Sequence, residues 1–568
     1  MTISRRGALA LLGFGAAAPA GAVTPAKFYA GKVSFAHGVA SGDPLADRVI
    51  LWTRATPADP ATTETIALRW DVASDPQFKK VVAQGQVTTD AGRDFTAKVD
   101  AAGLKPGTDY WYRFRQAIDG KPQGDQAAGR TKTLPAGATK DVVLAVASCS
   151  LFPAGFFNAY GAIAELPRVD AVLHLGDYIY EYGAAPGDYG MAAGAKIGRT
   201  HLPAHEIVTL SDYRTRHAHY KTDPQLQAAH ARAPWIVVWD DHETANDAWQ
   251  GGAENHNPDK GEGDWATRKA VALKAYYEWM PLREPAAGTL LEACNRTFQF
   301  GDVATLLMVE TRLTARSQQL DYDTDLQIVD GKPDVKAFAA KWQDPSRRLI
   351  GEAQAQWLAG ELNASIKSGT TWQVLGNQVV MARVAPPNLP KTMGAEKWNA
   401  LQAGLPEFVR NRLAQTTALS AFDVPSNLDS WDGYPADRER LYAAFTAAKA
   451  APIVLAGDSH TFWVNELYDA GGKRVAAEFG ASSITSPGFG DYLPQAPIGP
   501  AFMERNKEVV FCDAHTKGFV LLTMTKDQAK GELVTVSTIL SPAYETNVLK
   551  TYAVKPAAGG GVEALVEA

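Results

Sequence analysis

The side chains best suited to chemistry in this 568-residue chain stand at the ends of short apolar runs. AVLHLGDYIYEYG, beginning at Ala171, meets Gly176 and Asp177 and offers Tyr180 just beyond. WIVVWDDHE ends in Asp240, Asp241, His242 and Glu243; TWQVLGNQ ends in Gly376, Asn377 and Gln378; PIVLAGDSH ends in Gly457, Asp458, Ser459 and His460. The run from Val142 closes on Ser148 and Cys149, and VATLLMVETR closes on Arg312. A short β-rich run that stops at a glycine and an acid delivers its side chain to the carboxyl edge of an α/β sheet, where ligands bind. Read singly, Gly176-Asp177 is also a turn and Cys149 a small buried hydrophobe. Read together, the endings imply one polar cluster of Cys149, Asp177, Tyr180, Asp241, His242, Asn377, Asp458 and His460. Adjacent carboxylates repel, and so many buried polar groups are costly without cations, so the expected chemistry is metal binding. Arg312 stands where it can meet an anion or pair with Glu310.

The elements that must position these residues fall into two textures. From Val33 to Pro135 the pattern is all β. In TIALRWDV, Ile66, Leu68, Trp70 and Val72 alternate with polar or small residues, and after a Pro-Gly turn Tyr110, Tyr112 and Phe114 share a strand face. The turn followed by tyrosine resembles the corner of an immunoglobulin or fibronectin III sandwich, so residues 33–135 are expected to form such a domain, with RTKTLPAGATKD as the linker. Over residues 140–555 strands alternate with helical stretches, the pattern of an α/β domain. A long insertion between the second and third strands, which includes GAAPGDYGMAAGAKIG and SDYRTRHAHY, is expected to wall the site. Tyr276, Tyr277 and Trp279 are expected in the core, GASSITSPG around Ser482 and Ser483 as a loop without the nucleophile-elbow pattern, and 556–568 as a flexible tail.

Composition narrows the function classes. With 46% hydrophobic and 10% aromatic residues the chain can build a large core, and a formal charge of −6 argues against a general nucleic-acid binder. Three scattered cysteines, Cys149, Cys294 and Cys512, are too few for a disulfide framework. At the start, MTISRRGALALLGFGAAAPAGAV sets Arg5 and Arg6 before a short apolar segment and small residues. This resembles a bacterial twin-arginine export signal over 1–22, too short and glycine-rich for a membrane span. The expected location is periplasmic or secreted, reached in folded form through the twin-arginine export machinery, with no membrane span in the mature chain.

GDYIYE, WDDHE, LGNQ and GDSH, in this order behind an export signal and a β-sandwich, resemble the alkaline phosphatase D (PhoD-type) family, which also includes some secreted phospholipase D enzymes. More distantly the order is similar to calcineurin-like metallophosphoesterases, especially purple acid phosphatases. The resemblance implies a four-layer αββα sandwich of two sheets flanked by helices. Where those relatives read Gly-Asn-His-Glu and Gly-His-x-His, this chain has Asp240-Asp241-His242-Glu243 and Gly457-Asp458-Ser459-His460. As the resemblance implies, Cys149, Asp177, Tyr180 and His460 form one metal shell, and a thiolate with a phenolate suits Fe(III). Asp177, Asp241, Asn377 and Asp458 form a second, whose oxygen donors suit one or two Ca2+, with Mn2+ as the alternative. Asp240 or Glu243 either adds a ligand or supports the ligands from behind. The implied activity is hydrolysis of phosphate mono- and diesters at two metals bridged by Asp177, by attack of a metal-bound oxide or hydroxide, with His242 on the phosphoryl oxygens or leaving group and Arg312 as a phosphate clamp. A phospholipase D acting on phospholipid is the alternative enzyme, and a non-catalytic envelope binding protein the alternative outside enzymes.

Overall fold

The computed structural model describes residues 28–568 other than 287, 404 and 406, so the export signal expected over 1–22 lies outside the described residues. Val142–Ala147, Ala171–His174 and Trp235–Val237 lie side by side and parallel in one sheet. Ala304–Met308, Trp372–Gly376 and Pro452–Ala456 do the same in another. Every residue of these six strands is buried, as parallel strands require when both sheet faces are covered. The period of two shows what covers them. Leu306, Val374, Ile453 and Leu455 point into a core shared with Leu144, Leu173 and Ile236 of the other sheet. Leu307, Leu375, Val454 and Ala456 point the opposite way, onto Leu358 and Leu362 of the Gly351–Lys367 helix and Leu441 and Phe445 of the Pro435–Ala448 helix. Helices Asn158–Glu165 and Pro224–Arg232 pack on the first sheet. The result is the four-layer αββα sandwich. Tyr276, Tyr277 and Trp279 are buried, as expected.

The N-terminal strands form two sheets over one core. Tyr110, Tyr112 and Phe114 pack with Leu51, Ile66 and Leu68, and the Lys105 amide donates to the Tyr110 hydroxyl at 2.9 Å, the tyrosine corner of a sandwich. In Ile66–Ala73 the simple alternation fails at one point: Trp70 is half-buried while Asp71 is only 2% exposed. The reason is electrostatic, since Arg69, Arg113 and Arg115 converge on the Asp71 carboxylate. One sandwich sheet is not separate from the α/β region. Val39–Gly42, Arg48–Arg54 and Thr96–Ala102 extend the first α/β sheet to ten strands, joined where Gly42 pairs with Trp235. A β-carbon at Gly42 would lie 2.1 Å from the Pro281 carbonyl oxygen and 2.6 Å from that of Trp235, so only glycine closes this junction.

At the other end, Lys517–Met524 and Ala529–Val536 (GFVLLTM and most of ELVTVSTIL) pair antiparallel beside Val142–Ala147. They are sheet strands. The segment expected as a flexible tail turns at Gly559, Gly560 and Gly561, all at positive φ, and returns as Val566–Glu567 against Thr546–Val554. Cys149, Cys294 and Cys512 are all free and buried.

Candidate active site

The strand ends carry their donors in a backbone conformation that L-residues seldom adopt. Cys149, Asp177, Asp458 and His460 have φ of 62°, 56°, 60° and 54°. Such left-handed residues cost on the order of 1–3 kcal/mol each and persist where the surroundings over-determine them. The glycine before Asp177 is equally constrained: Gly176 has φ of 112°, and a β-carbon there would lie 2.3 Å from Asp240 Cβ. Glu243 fixes the arrangement. Its carboxylate accepts the backbone N–H groups of Asp177 at 3.0 Å, Tyr178 at 2.6 Å and Asp240 at 2.8 Å, tying two strand ends together. Three of its lone pairs are thereby engaged in holding the backbone at these strand ends.

Three groups of donors come together: Cys149, Asp177 and His460; Asp177, Asp241 and His242; Asp240, Asp241 and Asp458, each with its ligand atoms within 4.8 Å of one another. Tyr180 joins the first, its hydroxyl 2.9 Å from Asp177 Oδ2 and 3.3 Å from His460 Nε2. His460 Nδ1 lies 2.8 Å from the Pro487 carbonyl, which directs Nε2 to the cluster, as partners of ligand histidines do. Asn377 accepts the Trp431 indole N–H on Oδ1 at 2.9 Å and keeps a second lone pair there. Tyr178 packs away from the cluster, with His230 and Lys221 at its hydroxyl. Ser482 and Ser483 donate to backbone carbonyls, as befits a loop.

The donor set fits cations. Asp177 Oδ1, Asp240 Oδ2 and Asp241 Oδ1 are buried carboxylate oxygens with no hydrogen-bond partner. Burial, together with the charges of Asp241, Asp240 and Glu243, outweighs the pull of His242 and raises the Asp177 carboxyl far above the usual range. Burial and the Asp177 charge likewise raise the Cys149 thiol and the Tyr180 phenol, so ionised forms of both call for a positive charge close by.

Arg312 answers the sequence alternatives with neither of them. It is fully buried; its Nε pairs with Asp240 Oδ1, Nη1 lies 2.6 Å from Asp429 Oδ2, and Nη2 lies 3.4 Å from Asp458 Oδ1. Glu310 instead accepts the Arg312 and Leu313 amides and the Trp239 indole N–H. Asp241 Oδ1 lies 3.7 Å from Nη2, so four carboxylates surround the Arg312 guanidinium and occupy it as their counter-charge. It also explains Asp241: burial opposes ionisation there, but Arg312 and His242 prevail and hold the carboxyl below its ordinary range.

Sequence reasoning missed Glu181. Its Oε2 lies 2.7 Å from His242 Nδ1 and its Oε1 accepts from Asn246 N and Asn255 Nδ2, which leaves His242 Nε2 free. Although burial opposes the imidazolium, the charges of Asp241, Glu181 and Asp177 raise the His242 pKa well above normal. The only signal was the Glu closing YIYE. The cluster opens into a cavity of about 650 Å³. Tyr189 of the insertion lines it, as does Tyr182 just before the insertion, beside Asp247 and Asp429, which no local motif marks.

The pattern of the PhoD-like phosphatase family matches residues 144–533, and that of its N-terminal domain matches 20–135. The chain belongs to the PhoD-like phosphatase family. It is 34% identical over 524 residues to alkaline phosphatase D of Bacillus subtilis (strain 168), covering 89% of this chain and 78% of that protein. A solved structure of PhoD superimposes with a TM-score of 0.75 at 30% identity, over 95% of this chain and 93% of the other. The purple acid phosphatase PPD1 of yellow lupin (Lupinus luteus) superimposes at 0.51 with 13% identity, over 91% and 73%, a likeness of fold alone. As a PhoD-like phosphatase the chain is a phosphoric ester hydrolase, and Asp177, Asp241, His242, Asp458 and His460 line its cavity.

Proposed function

We propose that this PhoD-like phosphatase is exported to the periplasm or beyond and hydrolyses small-molecule phosphate mono- and diesters for phosphate acquisition, using two unlike cations that share Asp177. One observation carries the reading: Asp177 belongs to both the cysteine–histidine group and the group with Asp241, and keeps an unpartnered buried oxygen. Cys149, Tyr180, His460 and Asp177 would hold Fe(III); Asp177, Asp241, Asn377 and Asp458, with Asp240 beside them, would hold Ca2+, or Mn2+ as the alternative. Cations there supply Lewis acidity, lowering the pKa of an attacking water and offsetting charge on the phosphoryl oxygens.

The chain's own residues do the rest. His242 Nε2 faces the cavity as a proton donor to the departing alcohol, and Glu181 on Nδ1 orients the ring and stabilises its protonated form. Glu243 holds Asp177 and Asp240 in register. Tyr182 and Tyr189 close one side of the cavity against water. Export rests on the Arg5-Arg6 segment.

Metal analysis with a visible spectrum tests the assignment. A phenolate or thiolate on Fe(III) gives a charge-transfer band, which Tyr180→Phe is expected to shift or remove without unfolding the protein. A colourless, iron-free and fully active protein overturns the iron site. Turnover of a monoester and a diester by the metal-loaded protein tests the activity.

A further inference from the structure

We infer that the serine-rich loop GASSITSPG, running from Gly480 to Gly488, holds the donor group of Cys149, Tyr180 and His460, and that Ser486 is a positioning residue whose hydroxyl donates to the Tyr180 oxygen. This deepens, and rests on, the iron assignment above. The loop lacks a nucleophile pattern, yet Ser482, Ser483, Thr485 and Ser486 are all fully buried. Its hydrogen bonds reach three donors of one group. Thr485 and Ser486 give their backbone N–H groups to the Cys149 carbonyl at 3.3 and 3.4 Å. Ser482 Oγ donates to the His460 carbonyl at 3.3 Å, and the Pro487 carbonyl accepts from His460 Nδ1. Ser486 Oγ lies 2.7 Å from Tyr180 Oη. Among the described residues the loop makes no hydrogen bond to Asp177, Asp241, Asn377 or Asp458, so it serves one of the two cation sites and not the other.

A serine hydroxyl has one proton, and that of Ser486 has two acceptors within reach, the Cys149 carbonyl at 2.9 Å and Tyr180 Oη at 2.7 Å. The carbonyl already faces two amides. Tyr180 Oη donates its own proton toward Asp177 Oδ2 while it remains a phenol, and becomes a phenolate on binding a cation. Hydrogen bonds to an ionised oxygen are roughly twice as strong as neutral ones, so the Ser486 proton goes to Tyr180. The rest of Ser486 is pinned for this task. Its Oγ accepts the Leu151 amide at 3.2 Å, and its carbonyl accepts Lys517 Nζ at 2.8 Å and Ser483 Oγ at 2.6 Å. A donor on a ligand oxygen withdraws charge that the ligand would otherwise give its ion, which is how outer partners tune a metal site. With Ser486 in place the phenolate is the weaker donor, and the ion beside it is the stronger Lewis acid and the easier to reduce.

The visible band and the reduction midpoint of the iron-loaded full chain test this. In Ser486→Ala the phenolate charge-transfer band is expected to move to longer wavelength and the midpoint potential to fall. Ser483→Ala removes a loop hydrogen bond without touching Tyr180 and is expected to leave both where they are. An unmoved band in Ser486→Ala overturns the inference, and so does an equal shift in Ser483→Ala, which assigns the effect to loop packing. If Ser486→Ala does not fold, the unsubstituted protein equilibrated in H2O and in D2O decides the matter. The phenolate C–O stretch in resonance Raman is expected to shift with the exchanged proton, and an identical frequency in the two solvents overturns the inference. A colourless, iron-free protein fails the iron assignment and takes the inference with it, whereas a coloured protein indifferent to Ser486 fails the inference alone.

Discussion

Asp71 of the N-terminal sandwich and Asp177 of the catalytic region are buried to nearly the same degree, 2% and 1% exposed, yet their surroundings are opposite. Asp71 sits among Arg69, Arg113 and Arg115 with contacts of 3.3, 2.9 and 2.5 Å. Burial works against its charge, and the arginines overcome it, leaving its pKa below the ordinary range. Around Asp177 there are like charges, one imidazole and an oxygen with no partner, and its pKa is driven up. The same side chain at the same burial is neutralised by the protein in one place and left for an outside cation in the other. Burial alone does not set these two carboxylates apart; the buried oxygen left without a partner at Asp177 does.

The contrast can be broken from either side. The largest effect is expected at Asp177: in Asp177→Asn, kcat/KM for a phosphomonoester should fall about a thousandfold, since metals supply several kcal/mol to the transition state, while the protein stays folded. Metal analysis of the variant should show loss from both sites; a folded but destabilised variant that keeps its metals would mean that Asp177 is structural, like Asp71. Next comes Glu181→Gln, expected to lower kcat about a hundredfold with KM little changed, the loss being greatest for alkyl phosphates, whose leaving groups most need a proton. Equal losses for p-nitrophenyl and alkyl esters would remove Glu181 and His242 from proton transfer.

Asp71→Asn should do the reverse. Leaving three arginines without their carboxylate is expected to cost about 3 kcal/mol of stability in denaturant unfolding, with kcat/KM of the folded fraction intact. The smallest effect is its pH dependence. A carboxyl with a depressed folded pKa contributes stability in full above its unfolded value of about 3.9 and loses it as pH falls through the folded value. The Tm difference between unsubstituted protein and Asp71→Asn should therefore hold steady from about pH 8 to pH 5 and shrink below about pH 4.

The strand endings were readable because each is a local word: an apolar run, a glycine or small residue, then a donor. Cys149, Asp177, Asp241, Asp458 and His460 meet in space because parallel strands end on one edge. The four-layer order was legible mainly through the family motifs, and the tyrosine corner through its turn. What stayed hidden depends on residues distant in the chain. Arg312 meets Asp429, 117 positions away, and Glu310 is occupied by amides, so nothing near Arg312 in sequence disclosed its partners. Glu181 looked like the polar end of a tyrosine-rich loop until folding placed it on His242. Leu389, Leu413 and Phe502 carry only the hydrophobicity of core residues, which does not say that one side of that core opens on a cavity.

The junction at Gly42 gives the N-terminal region a meaning that a modular description hides. Because its strands continue the sheet that carries Trp235–Val237, a chain cut after the linker would begin with an open edge beside the strand leading to Asp240 and Asp241. Unpaired backbone groups there invite pairing with another chain. The N-terminal region is thus the finishing strand work of the catalytic sheet, and shortening the protein to its motif-bearing part would trade a hydrolase for an aggregation-prone edge.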